Sequence, residues 1–161
     1  EAYGLANFIL GGSFLGRLNQ VLRDREGLTY GAHSAIVSGR SPGYWLAATS
    51  VHPDDLDKAI DLMGGELERF VGKGVSEEEL DIARDHLAGA FPIRLETNRD
   101  VAALLLDGIR YGRGPDYLAQ YVDRVRAIDL ARVNAAARRL IDLENLVVVT
   151  AGSLPAGKKS G

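Results

Sequence analysis

Apolar residues at helical spacing, Leu15, Leu18 and Leu22, give way at Gly27 to residues of the strand-forming kind. A glycine suits the residue that ends a helix, because without a Cβ it takes a positive φ at little cost. A helix that stops there and a strand that starts at once restrict the chain to folds joining the two by a tight turn. The turn also relates two polar tips. Arg23 and Tyr30 lie seven residues apart on either side of it and can face one spot.

The chain has 161 residues, 46% hydrophobic and 25% charged, which suits one globular domain with a sizeable core and argues against disorder. A net charge of −3 with interspersed signs leaves no basic stripe, so no nucleic-acid partner is expected. The absence of cysteine excludes a disulfide scaffold and any thiolate metal site, but leaves the redox compartment open. No apolar run approaches the roughly 20 residues of a membrane span. The chain therefore reads as soluble, in a bacterial cytoplasm or periplasm.

Leu5, Phe8 and Ile9 predict an opening helix, so the chain reads as a fragment that begins inside or just before one. Gly11-Gly12 then permits a bend or a close backbone approach. Ser13 is placed to cap a second helical stretch, with an apolar face of Phe14, Leu15, Leu18, Val21 and Leu22. Strands are predicted over about Thr29–Val37 and Gly43–His52, joined by a hairpin loop rich in glycine and proline. Helices come next: one from Asp54 or Asp55 through Val71, closed by Gly72-Lys73-Gly74, and one opened by the capping-box spacing Ser76-Glu77-Glu78-Glu79. Pro92 breaks or kinks the second. Thr97 or Asn98, Pro115 and Asp129 start three more. Leu146–Thr150, a β-branched run, predicts a last strand buried in a sheet. The fold class is α+β, helices packed on one face of a mostly antiparallel sheet, over residues 1–152 with a flexible tail at 153–161. Three strands are few for so many helices. Either strand residues missing at the start complete the sheet, or a partner lends an edge.

Catalytic zinc requires ligands at short helical spacing, H-E-x-x-H or H-x-x-E-H, and the chain contains neither. His33, His52 and His86 are far apart, and no metal is assigned. With no cysteine and no G-x-S-x-G, no nucleophilic triad is recognisable. Gly11-Gly12-Ser13 lacks the strand and the lysine of a phosphate loop, and Glu77–Glu79 reads as acids favoured in a first helical turn. Arg23 and Tyr30 have an ordinary reading as a cation at a helix C-terminus and a tyrosine opening a strand. In a functional reading the guanidinium grips peptide carbonyls or a carboxylate, and the phenol donates to an oxygen where charge develops.

The run from Asn7 through Gly11-Gly12-Ser13 to Arg23, continued by Gly27-Leu28-Thr29-Tyr30-Gly31, resembles the C-terminal, inactive and metal-free domain of the pitrilysin/insulinase family of zinc metallopeptidases, of processing-peptidase type. Gly74–Leu80 with Ala83-Arg84, and Leu146–Val149, resemble later segments of the same domain, so the likeness spans nearly the whole chain. The resemblance implies a two-halved enzyme that closes around an unfolded peptide. One half holds zinc, and the other supplies an Arg and a Tyr matched here by Arg23 and Tyr30. The tyrosine would stabilise the tetrahedral oxyanion and Arg23 would hold the peptide backbone. Zinc is then expected in a partner domain or subunit, with none in this chain. The family's usual first strand is absent, which would leave a sheet edge open to homodimerisation. Two other readings stand beside it: a scaffold like the core subunits of the respiratory cytochrome complex, without proteolysis, and a stand-alone module that captures extended peptide along a strand edge.

Overall fold

The opening helix α1 (Ala2–Asn7) turns Leu5 and Ala6 inward and runs on as a π-turn over Phe8–Gly12. This is a computed structural model, and it describes residues 1–38, 43–114 and 116–153. The glycine pair makes a close approach. A Cβ on Gly11 would sit 2.8 Å from Leu18 Cδ1 and 2.9 Å from the Ser34 nitrogen, so only glycine lets the turn lie against the strand beyond.

Ser13 is extended and caps no helix. Its hydroxyl accepts from the Leu15 N–H at 3.2 Å and its carbonyl from the Gly16 N–H at 2.9 Å, which makes a tight turn. Phe14 and Leu15, expected on the apolar face, therefore project from that turn into solvent, while Leu18, Val21 and Leu22 are buried. Helix α2 (Arg17–Asn19) continues as a second π-turn over Gln20–Arg25. Gly27 ends it as expected, with φ +63°. The Leu28 N–H reaches back to the Leu22 carbonyl at 2.9 Å, one residue wider than an ordinary helix end, because the last turn is already widened.

Strands β1 (Ala32–Val37) and β2 (Tyr44–Thr49) form an antiparallel pair, Ala32 opposite Thr49 and Val37 opposite Tyr44. Both are shorter than predicted. Thr29 draws the approach to β1 into a local turn, its hydroxyl accepting from the Gly31 N–H at 3.1 Å, a side-chain bond that competes with a strand ladder. The hairpin loop falls largely on residues 39–42, outside those described, as do Pro115 and the tail from 154 onward.

Beyond the hairpin the chain is helical: α3 (Leu56–Lys73), α4 (Glu77–Ala90), α5 (Asn98–Arg110), then the short α6 (Asp116–Ala119) and α7 (Tyr121–Arg126), and last α8 (Leu130–Leu140). The starts of α4, α5 and α8 match the sequence signals, α3 begins just after the expected Asp55, and α7 starts where the sequence reading placed no signal. His52 caps a 3₁₀ turn ahead of α3, Ser76 and Glu79 form a reciprocal capping box, and the Thr97 and Asp129 side chains accept from backbone N–H groups of α5 and α8. Helix α1 packs on α8 and α4 on α7, enclosing Phe70, Leu5, Leu10, Leu18, Leu22, Leu80 and Val133 with essentially no exposure.

The predicted last strand does not form. Leu146–Thr150 has no ladder partner among the described residues, and Val147 and Val149 are more than four-fifths exposed. β-branched composition suits a pleated surface but makes no strand without a neighbour to pair with. The described sheet is β1 and β2 alone, in a helix-dominated α+β fold.

One charged node fixes α2 to the helices beneath it. Arg17 gives Nε and Nη2 to the two Glu79 oxygens at 2.6 and 2.7 Å and a further bond to the Gly74 carbonyl at 2.9 Å. It stands 3.7 Å from the buried Glu66 carboxylate and over the Phe70 ring. Burial alone would raise the Glu79 carboxyl. The hydrogen bond from Arg17, joined by those from Ser76, outweighs this and holds it below its ordinary 4.5. A carboxyl lowered by folding contributes stability that is present above its unfolded pKa and lost as pH falls through the folded one. Stability should therefore fall as pH drops below about 4.5, and Glu79→Gln should flatten that limb of the profile, as urea titrations at several pH values would reveal. Arg17→Met should cost about 2 kcal/mol at neutral pH by leaving Glu79 without its cation, while Glu66 keeps its pair with Arg69; a loss below about 0.5 kcal/mol would contradict the anchoring role.

Candidate functional site

Asn19 sits among the apolar residues of α2 and is only 3% exposed. Its amide nitrogen donates to the Ala32 carbonyl and its oxygen accepts from the Ala32 N–H, both at 2.8 Å. One side chain thereby satisfies both backbone groups at the start of β1, as a paired strand would. Asn7 serves the next outward position, donating to the Ser34 carbonyl at 3.2 Å while accepting from the Ser34 hydroxyl and from Trp45 Nε1. On the Asn-facing edge of β1 the two backbone groups of Ala32 and the carbonyl of Ser34 are therefore satisfied by side chains. By the alternation of an antiparallel ladder, Trp45, Ala47 and Thr49 lie on the opposite edge of the pair, which has no strand partner among the described residues.

Between Gly27 and Ala32 the chain is braced on both sides. The Thr29 hydroxyl lies within hydrogen-bond reach of the Ser50 carbonyl, at 2.8 Å, and accepts from the Thr49 hydroxyl at 3.0 Å. Tyr30 projects from this held link with 94% of its surface exposed. It borders an open depression of about 380 Å³ whose lining includes Phe14, Asn19, Thr29, Gly31 and His33.

Arg23, on the second π-turn, does not line the depression, and among the described residues no hydrogen bond joins it to Tyr30. Phe14 connects them. Its ring carries the Arg23 guanidinium at 3.7 Å from the centroid and its edge borders the depression with Tyr30. Arg23 is also paired with its neighbour, Nε lying 2.8 Å from Asp24 Oδ1. The two residues singled out in the sequence thus stand on one surface, related through an aromatic that helical periodicity had assigned to the core. Asn19 was missed as well. A polar residue directly after Leu18, in a stretch whose spacing demands burial, was the available signal.

The three histidines diverge. His33 borders the depression, His86 lies against the Phe8 ring at 4.7 Å, and His52 Nδ1 accepts from the Asp54 N–H. Among the described residues no group of three or more His, Asp or Glu side chains is arranged to hold a metal, so no zinc site is assigned among them. No helix among them is long and apolar enough to cross a membrane.

The helix-dominated α+β fold with its two-stranded antiparallel sheet is that of a metallopeptidase-family domain. The family model for the peptidase M16 inactive domain matches residues 1–87, and the chain belongs to that family. Among curated relatives, an uncharacterized zinc protease of Mycobacterium leprae is 28% identical over 144 residues, covering 88% of this chain and 32% of its own length. A protein of Helicobacter pylori described as a non-peptidase homolog is 33% identical over 94 residues, 56% of this chain and 21% of its own length. The chain spans a third or less of these relatives. A solved peptidase M16 inactive domain from Pseudomonas fluorescens superposes with a TM-score of 0.81 at 25% identity, over 88% of this chain and 34% of that one.

Replacing Asn19 with leucine keeps the volume and orphans both backbone groups of Ala32. The expected loss is about 2 to 4 kcal/mol in urea unfolding, with Tyr30 resonances shifting toward those of an unstructured link. A near-neutral substitution would show that Ala32 finds other partners.

Proposed function

We propose that this chain is the non-catalytic, substrate-binding half of a zinc metalloendopeptidase, working against a zinc-bearing domain or subunit of the same family. The observation that carries the reading is Tyr30, almost fully exposed on a backbone braced by Asn19 and Thr29, next to a depression whose Phe14 wall holds Arg23. A phenol open to solvent on a held backbone can donate a hydrogen bond to an oxygen brought up to it, which is what stabilising a developing oxyanion demands. Zinc on the other half supplies the hydrolytic chemistry. Tyr30 donates its phenol proton to the carbonyl oxygen as it gains charge, and Arg23 donates to a neighbouring carbonyl and keeps the peptide extended.

In the assembled enzyme Tyr30→Phe should lower kcat about a hundredfold, the scale of losing one oxyanion donor, with KM little changed. Arg23→Ala should raise KM and leave kcat near the parent value. An unaltered kcat in the first variant, or an unaltered KM in the second, removes the role assigned to that residue.

A second reading, a scaffold without proteolysis, draws on the Helicobacter pylori relative described as a non-peptidase homolog. Purification of the chain with its natural partner separates the two. An H-x-x-E-H motif in the partner and peptide hydrolysis by the pair support the enzyme, while a partner without the motif supports the scaffold.

A further inference from the structure

Helix α5 is strongly amphipathic, yet none of its 13 residues is buried. It packs on the 3₁₀ turn Pro92–Leu95 and on α6, and a helix of this length is marginal in water unless its apolar face is covered. Its apolar arc divides in two. Val101, Leu104 and Gly108 are half-buried, whereas Ala102, Leu105, Leu106 and Ile109 form a stripe open to solvent, with Leu106 66% and Ile109 74% exposed. Along one side of the stripe, between α5 and α6, runs a slot of about 140 Å³ lined by Leu104, Leu105, Ile109 and Leu118 together with Tyr117 and Arg113.

The charges around the stripe are sorted. Arg99 and Arg110 follow Leu106 round the helix, while Asp100 and Asp107 lie on the side opposite Ile109. Two guanidiniums approach the Tyr117 ring, Arg124 at 3.6 Å and Arg113 at 4.3 Å from its centroid. The charge of Arg124 is met by Glu1, which accepts its Nε at 2.9 Å. Among the described residues Arg99, Arg110 and Arg113 pair with no carboxylate.

A concave apolar slot receives a projecting side chain, which a protein helix has and the flat surface of a bilayer lacks. A second copy fits poorly, because an antiparallel contact of this face with itself brings Arg99 of one copy toward Arg110 of the other. We infer that the face of α5 and α6 docks a partner helix whose apolar stripe is bordered by carboxylates, one apolar side chain entering the slot and the carboxylates reaching Arg110 and Arg113. This face shares no residue with the depression beside Tyr30.

The test titrates the whole chain with a capped helical peptide carrying leucine at every third or fourth position and glutamates beside the leucines, and with its counterpart in which lysine replaces glutamate. Chemical shifts of Leu106, Ile109 and Tyr30 locate the binding. The glutamate peptide should shift Leu106 and Ile109 but not Tyr30, and should bind about tenfold more tightly than the lysine peptide, the scale of two exposed ion pairs. Ile109→Ser, at a position already open to solvent, should weaken it about tenfold without moving the urea midpoint, and R110Q/R113Q should erase the preference between the peptides. Tyr30→Phe should leave both affinities unchanged. Binding of neither peptide, equal binding of the two, or indifference to Ile109→Ser overturns the inference. Attachment to phosphatidylglycerol vesicles, or a sedimenting dimer, that Ile109→Ser removes also overturns it, the face then being covered by a bilayer or a second copy.

Discussion

Arg17 joins three parts of the chain that are distant in sequence. Its guanidinium holds both oxygens of Glu79 at the start of α4 and the Gly74 carbonyl at the end of α3, close to the buried Glu66. Glu79 is at once the acid of the α4 capping box, so the cap and the tertiary anchor share one carboxylate. Gly74, at φ +77°, leaves no room for a side chain beside Asn134, whose oxygen takes the Val75 N–H. Helix α2 is thus set on a platform of α3, α4 and α8. The site hangs from α2: Phe14 from the turn before it, Asn19 within it, Arg23 on its last turn, and Tyr30 just past the glycine that ends it.

Side chains do the work of a neighbouring strand on one edge of the sheet. The amides of Asn7 and Asn19 supply donors and acceptors to Ser34 and Ala32. The π-turn ending in Gly11 and Gly12 lies close against the same strand, where a Cβ at Gly11 would collide with the Ser34 backbone. A widened turn, a glycine and two asparagines together solve the problem of a buried strand edge.

A domain of the peptidase M16 inactive family keeps the layered fold without metal ligands. Tyr30 stands exposed on a backbone held on both sides through Asn19 and Thr29, and Arg23 rests on the Phe14 ring beside Asp24. Under the function proposed above, donors placed in this way would serve chemistry performed elsewhere.

Local sequence determined what local physics controls. Ser76, Thr97 and Asp129 cap helices, and Gly27 and Gly74 end them, since each depends on hydrogen bonds within a few residues. Periodicity failed where distant contacts decide. Phe14 and Leu15 continued a helical pattern, yet the turn held by Ser13 sends them outward. Leu146–Thr150 had strand composition but no partner to pair with among the described residues. Asn19 looked misplaced in an apolar face until Ala32, thirteen residues on, came to meet it. The sequence alone determined where the capped helices α4, α5 and α8 begin and where Gly27 ends the turn before the first strand. Only tertiary structure decided that Phe14 relates Arg23 to Tyr30 and that Asn19 seals the strand, because both depend on which surfaces meet after the chain has closed.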